Sequence, residues 1–195
     1  MNEHPTGAGN STFDLVDTRK LFEVLHLQPG SVFLDLACGN GRYALKAAEY
    51  VTAEGAIYAV DLWEDGIATL RSEARARELE QIRASVADIS KRIPAEDHAV
   101  DICLINSALH DLLRDGTHDA ALQEITRVMK PTGKLVVVEF EKTPGSPGPP
   151  VEVRLSPEEV ESLLRPYGLE HVRTMNVGPY HYLSSFRLDR SARTR

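Results

Sequence analysis

Val32-Phe33-Leu34-Asp35-Leu36-Ala37-Cys38-Gly39-Asn40-Gly41 is an apolar run that stops in a glycine-bearing turn, and an alanine-rich segment follows it. The run from Val32 to Leu36 is short and apolar apart from Asp35, which fits a strand buried on both faces. Beyond Gly41, apolar positions at Ala44, Leu45, Ala47, Ala48 and Val51 predict a helix from Arg42 to Val51. Gly39 and Gly41 let the backbone turn tightly and approach a ligand without an intervening Cβ. The N–H groups that open the helix favour a carboxylate or phosphate nearby. A buried strand that turns straight into a helix is half of a strand–helix–strand unit, and it sets the fold class as α/β.

Outward from that stretch the alternation continues. Ala56–Val60 predicts a second strand ending at Asp61, Glu64–Leu79 a helix, and Ile82–Ala87 a weaker strand ending at Asp88. Val100–Ile105 predicts a fourth strand ending at Asn106, and a helix is expected from His118 to Met129, stopped by Lys130-Pro131-Thr132-Gly133. Lys134–Phe140 is β-branched and reads as strand five. Upstream, apolar positions within 13–27 predict a helix, with Asp17 or Thr18 as its cap and Gln28-Pro29-Gly30 as its stop.

Downstream, Ser156-Pro157-Glu158-Glu159 opens a helix with a capping box, and Glu170–Val177 with His181–Leu188 predicts an antiparallel hairpin. Strands alternating with helices imply right-handed crossovers and a doubly wound, mainly parallel sheet covered on both faces. The expected organisation is a flexible segment 1–12, one domain over 13–188 and a frayed tail 189–195. The segment 143–150, Thr-Pro-Gly-Ser-Pro-Gly-Pro-Pro, cannot be regular structure and leaves strand five on the ligand rim, so it is a candidate lid.

The 195 residues carry 22 Lys and Arg against 29 Asp and Glu, a formal net charge of −7. That charge repels phosphate backbones and argues against a nucleic-acid partner. No apolar run approaches a membrane span, and the first ten residues do not read as a signal peptide. Cys38 and Cys103 sit in apolar surroundings and read as buried thiols of a cytoplasmic protein. Nothing in the sequence marks an oligomeric state.

In an open α/β sheet, ligands bind beyond the carboxyl ends of the strands. Strand one ends at Ala37-Cys38-Gly39-Asn40-Gly41, strand two at Asp61, strand three at Asp88 and strand four at Asn106. Asp61 lies twenty residues past Gly41, where a carboxylate can accept both ribose hydroxyls. A nucleoside bearing a negative group fits this rim, which admits NAD or S-adenosylmethionine. Gly39-x-Gly41-x-x-Ala44 matches the dinucleotide fingerprint, but Asp35 and the want of a second domain for a hydride acceptor argue against NAD.

The stretch Val32–Gly41 resembles motif I of the class I S-adenosylmethionine methyltransferases, with Ala37 where that family often has Gly. Ala59-Val60-Asp61-Leu62 resembles the acidic second motif, and Val86-Ala87-Asp88-Ile89 the third, whose Asp takes the adenine amino group. Asp101–His110 resembles the fourth strand and its exit loop. Leu122–Leu135 is similar to the helix and turn before strand five in small ubiquinone-biosynthesis-type methyltransferases.

The resemblance runs from about Gln28 to Leu188 and implies a Rossmann-like seven-stranded sheet with an antiparallel C-terminal strand. It implies S-adenosylmethionine as cofactor, a small-molecule methyl acceptor and in-line displacement. Its binding residues are then Asp35, Ala37, Gly39, Asn40, Gly41, Asp61, Leu62, Asp88, Ile89 and Asn106.

His110 follows Asn106 by one helical turn and is expected to face the methyl group, as a proton acceptor or substrate contact. The competing role is a structural histidine bonded to Asp111. Phe13 and Arg154 are the other candidate substrate contacts. His110 and His118 with Asp111 and Asp119 match no zinc spacing, so no metal is expected. Two other classes remain in view, a nicotinamide-dependent oxidoreductase and a binding module that keeps the cofactor site without catalysis.

Overall fold

A computed structural model describes Gly9 and residues 11–189. The predicted tail beyond Asp189 and the start of the predicted N-terminal segment lie outside the described residues. Seven strands form one sheet: β1 (Val32–Leu36), β2 (Ala56–Asp61), β3 (Ile82–Val86), β4 (Val100–Asn106), β5 (Met129–Phe140), β6 (Leu169–Asn176) and β7 (His181–Leu188). Their order is β3-β2-β1-β4-β5-β7-β6. The pairs from β3 to β5 are parallel, while β7 runs antiparallel to both β5 and β6. The fold is therefore the Rossmann-like, mainly parallel sheet with an antiparallel last strand that the sequence predicts.

Six helices cover the sheet: α1 (Thr18–Leu25), α2 (Arg42–Val51), α3 (Glu64–Ala76), α4 (Leu109–Arg114), α5 (His118–Val128) and α6 (Pro157–Leu164). One core layer joins alternate residues of β1, β4 and β5, such as Leu34, Cys103 and Leu135, to Leu122 and Ile125 of α5 and to Leu164 of α6. The other layer joins Phe33, Leu104 and Val136 to α1, α2 and α3 through Leu21, Ala47 and Leu70. Both faces of the central strands are thus apolar, which is why they lack the polar alternation of a half-exposed sheet.

Several boundaries and one whole element differ from expectation. Residues 13–17 are turns rather than helix, because Asp17 caps α1 by accepting the Lys20 amide and donates its own amide to Val177 at 2.6 Å. The third helix stops at Ala76, short of Leu79. Pairing of β5 begins early, with Met129 opposite Val100, and resumes at Lys134 opposite Ile102 after an irregularity. Helix α4 was not foreseen, since its six residues are too few to show a 3.6-residue period. The predicted capping box at Ser156 and Glu159 is present.

Candidate functional site

The carboxyl ends of β1, β2 and β4 meet around two adjoining cavities. The larger, about 290 Å³, is lined by Asp61, Leu62 and Trp63 after β2, by Ala87–Ser90 after β3, and by Asn106–Ala108, Asp111, Leu112, Asp115 and Thr117 after β4. The smaller, about 50 Å³, lies over the β1 turn and is lined by Asp35, Ala37–Asn40, Arg42 and Tyr43. Gly9, Thr12, Ala37, Gly39, Trp63 and Asn106 line both. A third, more open groove of about 520 Å³ lies between α3 and the edge strand β3, and it holds none of the buried unpartnered polar atoms found at the rim.

The β1 turn is built by backbone geometry. Ala37, Gly39 and Gly41 all have left-handed φ, at 52°, 58° and 75°. Ala37 stands where a glycine would be unstrained, at a local cost of roughly 1 kcal/mol. Gly41 is favoured for a second reason: a Cβ there would collide with the buried Leu70 side chain of α3. Gly41 caps α2 without lining either cavity, and no side chain caps that helix.

Asp61 holds the turn in place. Its two oxygens accept the Gly39 amide and the Trp63 amide, each at 2.7 Å. A carboxylate offers about four lone-pair sites, so Asp61 retains capacity for hydroxyl donors while it fixes both loops. Asp88 accepts the Ser90 amide at 2.9 Å and its hydroxyl at 2.6 Å. Burial opposes ionisation of Asp88, but those bonds and nearby Lys91 hold its carboxyl below the usual range.

Three buried polar atoms on the rim have no partner among the described residues: Asp35 Oδ2, Asn106 Nδ2 and Trp63 Nε1. All three residues line the small cavity. Asp35 is only 1 % exposed, and burial raises its carboxyl to about 8, with the charge of Asp61 adding to the rise and the Ala44 amide opposing it. One acceptor and two donors left bare in one pocket fit a zwitterionic amino-acid group, because an unmade buried hydrogen bond costs about 1–3 kcal/mol. Beside them, Leu62, Ile89 and Leu112 give the larger cavity apolar walls suited to an aromatic base. The residues present therefore fit S-adenosylmethionine.

Residues 12–14 lie against this rim. Thr12 donates to Asn106 Oδ1 at 3.2 Å, and Arg42 pairs with Asp14 at 2.7 Å. Phe13 does not line either cavity; its ring packs 4.9 Å from Tyr43 with the Arg42 guanidinium 4.3 Å from its centre. That contact holds the segment down rather than presenting Phe13 to a substrate.

Two further expectations are corrected. His110 is 5 % exposed and absent from both cavity walls, because Glu139, at the end of β5, takes its ring at 2.7 Å and its amide at 3.2 Å. Burial lowers the affinity of His110 for a proton, but Glu139 and then Asp111 outweigh it, and the net shift is upward. Arg154 is 2 % exposed, and its guanidinium donates to carbonyls of Glu141, Thr143, Ser146, Pro147 and Pro149. It forms the centre of the Pro-rich loop and lines neither of the two site cavities.

Sequence reasoning missed Trp63, Tyr43 and Thr12. Trp63 carried a signal, as the chain's one tryptophan placed two residues past the rim carboxylate Asp61. Among the described residues no group of three or more His, Cys, Asp or Glu could hold a metal ion.

Fold and site together define an α/β protein with a rim built for a nucleoside joined to a zwitterion. A family profile described as a methyltransferase domain matches residues 27–176, and the chain belongs to that family. A menaquinone and ubiquinone biosynthesis C-methyltransferase of Shewanella oneidensis is 32% identical over 124 residues, which cover 64% of this chain and 48% of that protein. A demethylmenaquinone methyltransferase of Bacillus mycoides is 28% identical over 121 residues, covering 62% of this chain and 49% of that one. The chain thus spans about half the length of these curated relatives. A solved structure described as an S-adenosylmethionine-dependent methyltransferase from Aquifex aeolicus superposes with a TM-score of 0.83 at 26% identity, covering 94% of this chain and 96% of that one.

Proposed function

We infer that the protein is an S-adenosylmethionine-dependent methyltransferase acting on a small molecule, working as one domain over 13–188. The observation that carries this reading is the trio of unpartnered polar atoms on Asp35, Asn106 and Trp63, beside a larger cavity with apolar walls. Family membership and the likeness to the Aquifex aeolicus structure support the same cofactor. Asp35 and Asn106, with the turn Ala37–Asn40, would hold the methionine half, and Gly41 would shape that turn. Asp61 would take the ribose hydroxyls, and Leu62, Asp88 and Ile89 the base.

When bound, the cofactor supplies an activated methyl group on a sulfonium leaving group. The chain's part is then to align the acceptor, exclude water and hold the cofactor still. No base is assigned, since His110 is committed to Glu139. The quinone-biosynthesis relatives support a neutral ring-bearing acceptor. Two buried free thiols support a reducing, cytoplasmic setting. Among the described residues no helix is long and apolar enough to cross a membrane.

Thermal unfolding with S-adenosylmethionine, S-adenosylhomocysteine and NAD tests the reading, because a ligand bound only by the native state raises Tm. Stabilisation by the first two and not by NAD is expected. Stabilisation by NAD alone would make the protein an oxidoreductase. Strong binding with no methyl turnover across O-, N-, C- and S-acceptors would make it a binding module.

A further inference from the structure

Asp35 poses a problem in the free protein. Its side chain is buried at the end of β1, and Oδ2 has no hydrogen-bond partner. The groups that face it are Asp61 from β2, Cys38 from the turn, and Tyr43 with the Ala44 amide from α2. None of these is a cation. Arg42, on the same cavity wall, is paired with Asp14 and lies over the Phe13 ring. The paired residues on the flanking strands, Ala59 and Leu104, are apolar. Among the described residues Asp35 thus has no counter-charge, and an ionised carboxylate there, with a second carboxylate near it, is costly.

We propose that Asp35 makes the small cavity a cation-for-proton exchange site: it carries a proton in the free protein and releases it to solvent when a ligand ammonium enters. Asp35 is then the residue that demands a positive charge at the amino-acid end of the cofactor. The exchange balances, one proton leaving the Oδ2 carboxyl for each ammonium bound, with no covalent change. The raised Asp35 carboxyl, at about 8, is consistent with this at neutral pH. This rests on the S-adenosylmethionine reading above. It adds a coupling between cofactor affinity and pH, because a ligand that binds only after a proton leaves gains about tenfold in affinity per pH unit below the free group's titration point.

The test is titration calorimetry of the full chain at pH 7 in buffers of different ionisation enthalpy, which counts protons released per ligand. S-adenosylmethionine and S-adenosylhomocysteine both carry the ammonium, and each is expected to release about one proton. Methylthioadenosine, which lacks the amino-acid half, is expected to bind without release. Between pH 6 and pH 7 the affinity for S-adenosylhomocysteine should rise about tenfold. Binding of the two ammonium ligands with no proton release overturns the proposal, as does equal release by methylthioadenosine.

Asp35→Asn has no proton to give, so any affinity it retains should not change between pH 6 and pH 7; a proton still released by that variant also overturns the proposal. Should the variant not fold, the buffer comparison on the wild-type protein decides alone. Failure of all three nucleosides to bind is a different result, and it would remove the cofactor reading on which the proposal stands.

Discussion

Two buried ionisable side chains, Asp35 at the end of β1 and Arg154 after the Pro-rich loop, are almost equally hidden, at 1 % and 2 % exposure. They are opposite in every other respect. Asp35 leaves one oxygen bare against a cavity. Arg154 spreads its guanidinium over five backbone carbonyls and the Ser146 hydroxyl, 5.4 Å from the centre of the Phe140 ring. Depth of burial alone therefore does not separate a binding residue from an architectural one. Satisfaction does: a buried group that the fold has completed belongs to the fold, and one left incomplete on a cavity wall awaits a ligand.

The sharpest way to break this contrast is Arg154→Ala. Removing the centre of the loop should lower stability by about 3 kcal/mol, measured by denaturant unfolding, and leave S-adenosylmethionine affinity within about twofold. A large loss of cofactor affinity at unchanged stability would return Arg154 to the site. On the other side of the contrast stands Asp61→Ala, which frees the Gly39 and Trp63 amides and deletes the ribose acceptor together. It should weaken cofactor binding roughly a hundredfold in calorimetry, with a smaller change in stability.

The buried pair His110 and Glu139 is a second completed site, and it carries a pH signature. The His110 proton affinity in the folded chain is raised above the ordinary value of 6.5. Its contribution is thus fully present below that ordinary value and is lost as pH rises through the folded one. His110→Gln should cost about 2 kcal/mol at pH 6, and the cost should shrink as the solution is made alkaline. A cost that grows with pH would show that the ring is neutral in the native state.

The smallest effect is expected at Thr12→Val. It removes two partly buried hydrogen bonds, one to the Tyr43 hydroxyl and one to Asn106, whose Oδ1 still accepts from Ser107. A change of about 1 kcal/mol or less in stability is expected, together with faster release of S-adenosylhomocysteine in a stopped-flow displacement. Unchanged release would mean that the N-terminal segment does not hold the site closed.

Much of the rim was legible because each strand ends in a residue of distinctive chemistry. Asp61, Asp88 and Asn106 need only the period of the elements around them to be placed at one edge. The misplacements share a cause. The spacing of His110 from Asn106 points it at the site, but the group that captures it lies 29 residues away on β5. Arg154 is a candidate substrate contact by sequence, and nothing in the sequence shows that the loop's own carbonyls surround it. Helix α4 hides in the sequence because one and a half turns carry no periodic signal.

The sequence by itself determined the alternation of buried strands and amphipathic helices, the tight glycine-bearing turn after the first strand, and the polar ends of the strands. These follow from period, backbone sterics and chemistry within a few residues. Only the tertiary structure decided that β7 lies between β5 and β6, that Glu139 claims His110, and that Thr12 reaches Asn106 across 94 residues. It alone also left Asp35 Oδ2 without a partner. The reason is physical: whether a polar group is satisfied depends on which distant atoms close packing brings within 3 Å of it, and no local pattern encodes that.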